Sequence, residues 1–175
     1  LAIKNAAANI GIDNETAHAV FPAKTIDALT AFADLTDRKM LEELSKINLE
    51  ELRIRERISQ AVLTRLEILT EHKDAERLAL QFWTAPMHKP RALQCLWSTA
   101  DHIWNWAGDQ SNDYNHYTKR AILSAILAST TLVWLQDQSE KMEETRAYLD
   151  RRIENVMQFE KFKSRFFKTS LKAAA

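Results

Sequence analysis

From Ala121 to Gln136 the chain runs 16 residues without a charge, and nothing else in it narrows the fold as much. A membrane-crossing helix needs about 20 predominantly apolar residues, and Ser124, Ser129, Thr130 and Thr131 dilute this run. It is therefore expected to be a helix buried in protein. Its apolar positions lie on nearly every side, more than a single core-facing stripe requires. One side can pack in a core, another can line a ligand cavity, and a third can meet a second subunit. A dimer alone and a dimer with an apolar pocket both account for the surplus.

The residues before this run set its context. A helix is expected over Arg91 to Ala107, followed by a polar turn from Gly108 to Asn115. Asp113 or Tyr114 then opens the long helix, which is expected to end near Gln138. Leu96, Trp97, Ile103 and Trp104 can face Leu123, Ile126, Leu127, Thr130 and Trp134, which makes these nine residues the candidate lipid wall. Asp101, Asp109 and Asp113 gather carboxylates around the turn. Acid–base catalysis would need burial to split their pKa values. Helix capping and the helix dipole explain aspartates at such a turn without any catalysis.

The rest of the chain reads as helix too. Two glycines and three prolines leave little turn chemistry, while Ala, Leu, Glu, Lys and Arg favour helix. The expectation is an all-α fold of long helices. Ala2 to Asn9 and a second short helix ending at Val20 flank Gly11, with Asp13 or Asn14 as a cap and Phe21-Pro22 as a stop. They read as the second and third elements of a helix-turn-helix; the chain begins at Leu1 inside an expected helix, so a preceding segment with the first element is expected. Helices follow over Lys24 to Leu44 (with a bend at Asp34 to Arg38), from Asn48, from Asp74 to Ala85, and from Glu140 to about Phe167. Pro86 and Pro90 bracket a loop.

Charge and special residues exclude several functions. The 24 basic residues balance 24 acidic ones, and Asn5 to Ala23, which holds the would-be DNA-reading helix, carries no Lys or Arg. No nucleic-acid partner is expected. Glu15-x-x-His18 and Asp113-x-x-His116 only echo the paired motif of di-iron bundles, which also need further carboxylates, so no metal site is expected. Phosphate loops and nucleophile signatures are absent, and no catalytic residue or enzyme activity is assigned. The lone Cys95 sits in an apolar stretch and reads as a structural thiol. Near the C-terminus, Phe159, Phe162, Lys163, Arg165 and Phe166 form a basic, Phe-rich segment suited to a membrane interface. The expected divisions are 1–22, a remnant helix-turn-helix; 23–158, a lipid-binding and dimerisation domain; and 159–175, an amphipathic helix.

Two resemblances extend this reading. Ile3 to Leu29, including the corner Phe21-Pro22-x-Lys24, resembles the start of TetR-type repressors. Trp104-x-x-Ala107-Gly108-Asp109-Gln110-Ser111-x-Asp113, then Asn115-x-Tyr117-Thr118-x-Arg120, is similar to the signature of the Coq-nine family of ubiquinone (coenzyme Q) biosynthesis accessory proteins. Arg55-x-Arg57-Ile58, Arg65-Leu66, Asp137-x-Ser139 and Tyr148-Leu149-x-x-Arg152 fit it as well. The likeness spans about Ile10 to Glu160. It implies a TetR-repressor-like helical bundle with a degenerate helix-turn-helix, a pocket for an isoprenoid quinone-type lipid, and a homodimer. It also implies docking of a di-iron demethoxyubiquinone hydroxylase on Asp109, Asp113, His116, Tyr117 and Arg120, with His116 where many relatives carry Trp. Peripheral attachment to the quinone-bearing membrane belongs to the same implication, on the bacterial cytoplasmic face or the mitochondrial matrix side. No cofactor is implied beyond the lipid. The competing expectation is a TetR-type transcriptional repressor with an apolar effector.

Overall fold

The computed structural model describes residues 2–156 and 158; the membrane candidates Phe159, Phe162, Lys163, Arg165 and Phe166 lie outside them. Among the described residues there are helices and turns and no strand. The helices are α1 (Ala2–Asn9), α2 (Asn14–Val20), α3 (Thr25–Leu44), α4 (Ile54–Leu69), α5 (Lys73–Trp83), α6 (Lys89–Trp106), α7 (Tyr114–Gln136) and α8 (143–156).

The caps at the N-terminal end fall where the local chemistry puts them. Gly11 takes φ 74° after α1, a left-handed conformation that costs glycine little. The Asp13 carboxylate accepts from the Thr16 N–H at 2.8 Å and starts α2. Lys24 adopts φ 56° at the corner into α3. The start of α7 is equally local, with Asp113 accepting from the Asn115 N–H at 3.0 Å.

Elsewhere tertiary contacts override local signals. No bend interrupts α3 at Asp34 to Arg38. Instead Asp37 turns inward and is 2% exposed, accepting from Arg65 Nε on α4 at 2.8 Å and Thr99 Oγ1 on α6 at 2.7 Å. Asn48 caps a 3-10 turn at Leu49–Glu51 and not α4 itself. Helix α5 begins at Lys73, ahead of Asp74. The Pro86 loop is a 3-10 turn that runs straight into α6, with Pro90 inside the first helical turn, where a missing N–H costs nothing.

The core lies where α7 packs along α6 and where α3 packs on α4 and α6. Met40, Leu44, Ile103, Leu123, Trp134 and Leu149 are all at 1% exposure or less. Each such side chain stabilises the fold by roughly 1.5–3 kcal/mol on burial. Beyond α7, the chain turns through Glu140–Met142, where Lys141 and Met142 have φ of 54° and 58°. Asp137 holds this strained turn. Its carboxylate accepts from the N–H and Oγ of Ser139 and from the N–H and Oγ1 of Thr145. Burial works to raise the Asp137 carboxyl, but those bonds hold it far below the usual carboxylate range.

Candidate lipid cavity and its polar rim

Helices α4, α6, α7 and α8, with the turn after α6, border a partly open cavity of about 350 Å³. Apolar side chains make most of its wall: Ile54 and Ile58 from α4, Trp104 from α6, Ile122, Leu123 and Ile126 from α7, and Ile153 and Val156 from α8. One stretch of the lining is polar and comes from the turn and the start of α7: Asp109, Gln110, Asn115, Thr118 and Lys119. The volume falls in the roughly 300–1,000 Å³ range of small-molecule sites, which are mostly apolar with a few placed polar groups.

A buried ionic network orders that rim. Arg120 is 1% exposed. Its Nε donates to Asp101 at 2.5 Å, one terminal nitrogen donates to Asp109 at 3.1 Å and to the His116 carbonyl, and the other donates to Asn105 at 3.2 Å. Asp109 also accepts from Lys119 Nζ at 2.6 Å and Ser111 Oγ at 2.7 Å. Burial pushes the Asp109 carboxyl up, but the hydrogen bonds from Lys119, Ser111 and Arg120 prevail and hold it at about 2. Lys119 lies 5.3 Å over the Trp104 ring, and Trp104 Nε1 donates to the Lys119 carbonyl at 3.1 Å.

The turn itself is pinned from α4. Arg57 donates to the carbonyls of Leu49, Leu52 and Ala107 at 2.6, 2.9 and 2.8 Å. Gly108 follows with φ 89°, and a Cβ there would sit 3.5 Å from the Arg57 guanidinium. Backbone conformation, more than space, makes glycine the fitting residue.

These bonds carry a pH consequence. The folded-state pKa of Asp109, about 2, lies below its ordinary 3.8. Its contribution to stability is then present in full above about 4 and is lost as pH falls from there through about 2. Thermal midpoints measured from pH 7 to pH 2 should drop in that window for the wild type. Asp109→Asn should show a shallower drop, and parallel acid curves would refute the assignment.

The nine expected wall residues do not share one cavity. Trp104, Leu123 and Ile126 line the one just described. Leu96 and Leu127 line a smaller cavity of about 170 Å³ among α3, α5, α6 and α7. There burial pushes the Glu76 carboxyl up while Arg65 opposes it. Ile103, Thr130 and Trp134 are core, at 0%, 0% and 1% exposure, and the Thr130 hydroxyl has no hydrogen-bond partner among the described residues. Trp97 sits beside Tyr117, with ring centroids 6.2 Å apart. Ile54 and Ile58, like Ile153 and Val156, lie at helical spacings that share a face, but periodicity does not tell which helices face each other.

The five expected docking residues also divide. Asp109 and Arg120 point inward and build the rim, so they are not themselves outward-facing. Asp113 and Tyr117 are exposed, the latter by 63%. His116 is half-buried and its Nδ1 donates to the Ser111 carbonyl at 3.0 Å. Burial pushes the half-buried Cys95 thiol up, above all other influences on it, which leaves little reactive thiolate. Among the described residues no group of three or more His, Cys, Asp or Glu could hold a metal ion, and no helix is long and apolar enough to cross a membrane.

Comparison with known proteins adds to this geometry. Residues 89–160 match the COQ9 family, a span that holds α6, the turn, α7 and the described part of α8. The mitochondrial ubiquinone biosynthesis protein COQ9 of Rattus norvegicus is 41% identical over 100 residues, which is 57% of this chain and 32% of that one. The Homo sapiens protein of that name is 37% identical over 123 residues, covering 68% of this chain and 39% of its own length. The aligned stretch thus spans 32% to 39% of these relatives' own length. Among solved structures, a TetR transcriptional regulator from Nitrosomonas europaea superposes with a TM-score of 0.69 at 20% identity, covering 86% of this chain and 83% of that one. The fold is all-α and TetR-like.

Proposed function

We propose, for a chain that belongs to the COQ9 family by its segment 89–160, that it serves ubiquinone biosynthesis by holding an isoprenoid quinone-type lipid and presenting it to a di-iron demethoxyubiquinone hydroxylase. The observation that carries this reading is the cavity among α4, α6, α7 and α8, with long apolar walls and one polar rim. A prenyl chain is poorly accommodated by water, and a protein wall that covers it lowers the cost of leaving a bilayer. The names of the relatives, ubiquinone biosynthesis proteins of mitochondria, support the pathway. The reading assigns the chain no bond-making step.

The hydroxylase would dock on the outward side of the rim, around Asp113, Tyr117 and the edge of His116. A second copy would meet the face of α7 that leaves Ala121, Ala125 and Leu132 exposed. The work would take place at the surface of the quinone-bearing membrane, the matrix side in mitochondria or the cytoplasmic face in a bacterium.

Two measurements test the lipid. Extraction of the purified chain should release a prenylated quinone-type lipid, identified by mass spectrometry. Ile122→Trp places an indole in the cavity from a half-buried position. It should reduce bound lipid by about tenfold, equivalent to about 1.4 kcal/mol, with little change in thermal midpoint. No lipid in the wild type, together with normal quinone levels in a deletion strain, would end the reading. The TetR-like fold alone favours a repressor with an apolar effector. That alternative would need a tight, salt-sensitive DNA complex from an α2 without Lys or Arg.

A further inference from the structure

Resting on that reading, we infer that Lys119, anchored by Asp109 beside Trp104, recognises the oxygenated ring of a neutral prenylated quinone or phenol at the polar end of the cavity, with the prenyl chain running along α7 toward Ile122 and Ile126. The orientation follows from the order of residues on one helix face. Asn115, Thr118 and Lys119, Ile122 and Leu123, and Ile126 all line the cavity, at spacings of three or four that share a face. From Asn115 to Ile126 the helix rises by roughly 16 Å. The face is polar in its first turns and apolar in its later ones, so an amphiphile fits it in one direction only.

Lys119 is the group placed to read the head. An ammonium carries three donors, and among the described residues Lys119 makes one hydrogen bond, to Asp109. Its side chain is 38% exposed and borders the cavity together with Trp104, whose ring it overlies. Two N–H groups therefore remain for ring oxygens. Gln110 lines the same end.

A neutral head suits the paired charges at the polar end. The Asp109 carboxylate lies in the same lining, already engaged by Lys119 and Arg120, and it repels an anion brought against it. The other lining cation, Arg55, is exposed on α4 and also borders a groove holding Glu56, Asp150 and Glu154. A diphosphate would meet a Lys119 that is already paired with the Asp109 carboxylate. A quinone or phenol accepts hydrogen bonds without adding charge. Rejection of the wrong head by an unfavourable contact is as much a part of specificity as the bond to the right one.

Calorimetric titration of the full chain with three probes tests this: ubiquinone with two isoprene units, farnesol and farnesyl diphosphate. The wild type should bind the quinone about tenfold more tightly than farnesol, as a hydrogen bond to a charged donor predicts, and farnesyl diphosphate no better than farnesol. Lys119→Met should bring the quinone down to the farnesol level without changing farnesol affinity, and Lys119→Arg should restore most of the difference. Unchanged farnesol binding also shows that the cavity persists; if Lys119→Met loses it, Gln110→Leu, at an exposed position, decides, with a loss confined to the quinone expected. Equal binding of quinone and farnesol, a preference for the diphosphate, or a quinone affinity indifferent to these substitutions overturns the head assignment while leaving the lipid reading in place. Failure of all three probes to bind overturns the lipid reading itself.

Discussion

Replacing Arg120 with methionine is expected to lower the stability of the fold by about 3–5 kcal/mol, the usual consequence of removing one partner from a buried charge network. The stem of methionine keeps much of the volume, so the loss isolates the charge. Among the described residues Asp109 would keep Lys119 as its one cation and Asp101 would lose its guanidinium contact, while the Asp109 side chain stays 4% exposed. Tyr117, three residues earlier and 63% exposed, should behave in the opposite way. Tyr117→Ala should leave stability within about 0.5 kcal/mol and, on the proposed docking, weaken capture of a demethoxyubiquinone hydroxylase. Urea midpoints for the two variants, with pull-down of the hydroxylase, separate the roles. An Arg120→Met variant as stable as the wild type would show that the network is decoration, and an unstable Tyr117→Ala would place the tyrosine in the fold.

That contrast also shows what could be read from sequence alone. Local chemistry was legible wherever a side chain caps its own backbone. Asp13 on α2, Asp113 on α7 and Gly11 after α1 need only neighbours within three residues, and each lies where expected. The uncharged run Ala121 to Gln136 announced a buried helix; α7 is helical there but buries one face through Leu123, Ile126, Leu127, Thr130 and Trp134 and leaves Ala121, Ala125 and Leu132 exposed. Asp109 and Arg120 were recognised as important, but their direction was not legible. An aspartate in a polar turn reads the same whether it faces water or receives Lys119 and Arg120, because its partners lie ten and eleven residues on and meet it only once α6 and α7 have packed.

The cavity was legible in the same partial way. Trp104, Leu123 and Ile126 were expected together because α6 and α7 are neighbours in sequence, joined by a short turn. Ile54, Ile58, Ile153 and Val156 complete the wall from helices some fifty residues before and thirty after. A 3.6-residue period gives each helix an apolar face but not the partner for that face. Ile103, Thr130 and Trp134 satisfied the same pattern and went into the core. Pattern identifies what is buried; only packing decides whether it borders a void.

The polar stretch Asp34 to Arg38 carries the second large prediction, since two aspartates three residues apart have opposite fates. Asp34 pairs with Arg38 at 2.9 Å on the surface, both side chains more than half exposed. Asp37 is 2% exposed and joins Arg65 of α4 to Thr99 of α6, with His102 Nδ1 3.5 Å away. Asp37→Ala would strand a guanidinium whose side chain is only 12% exposed and leave Thr99 without this acceptor, at an expected cost of about 3–5 kcal/mol. Asp34→Ala should cost less than about 1 kcal/mol, as exposed ion pairs do. The consequence reaches beyond stability, because α3 runs from the α1–α2 pair to the core, and Asp37 is the point at which it is tied to both α4 and α6. Amide exchange in α3 should therefore accelerate in Asp37→Ala more than in α7, and unfolding midpoints for the two alanine variants should differ by several-fold more than their error. Equal midpoints would mean that α3 is held by its apolar face through Met40 and Leu44 alone, with the charge contributing nothing to the junction.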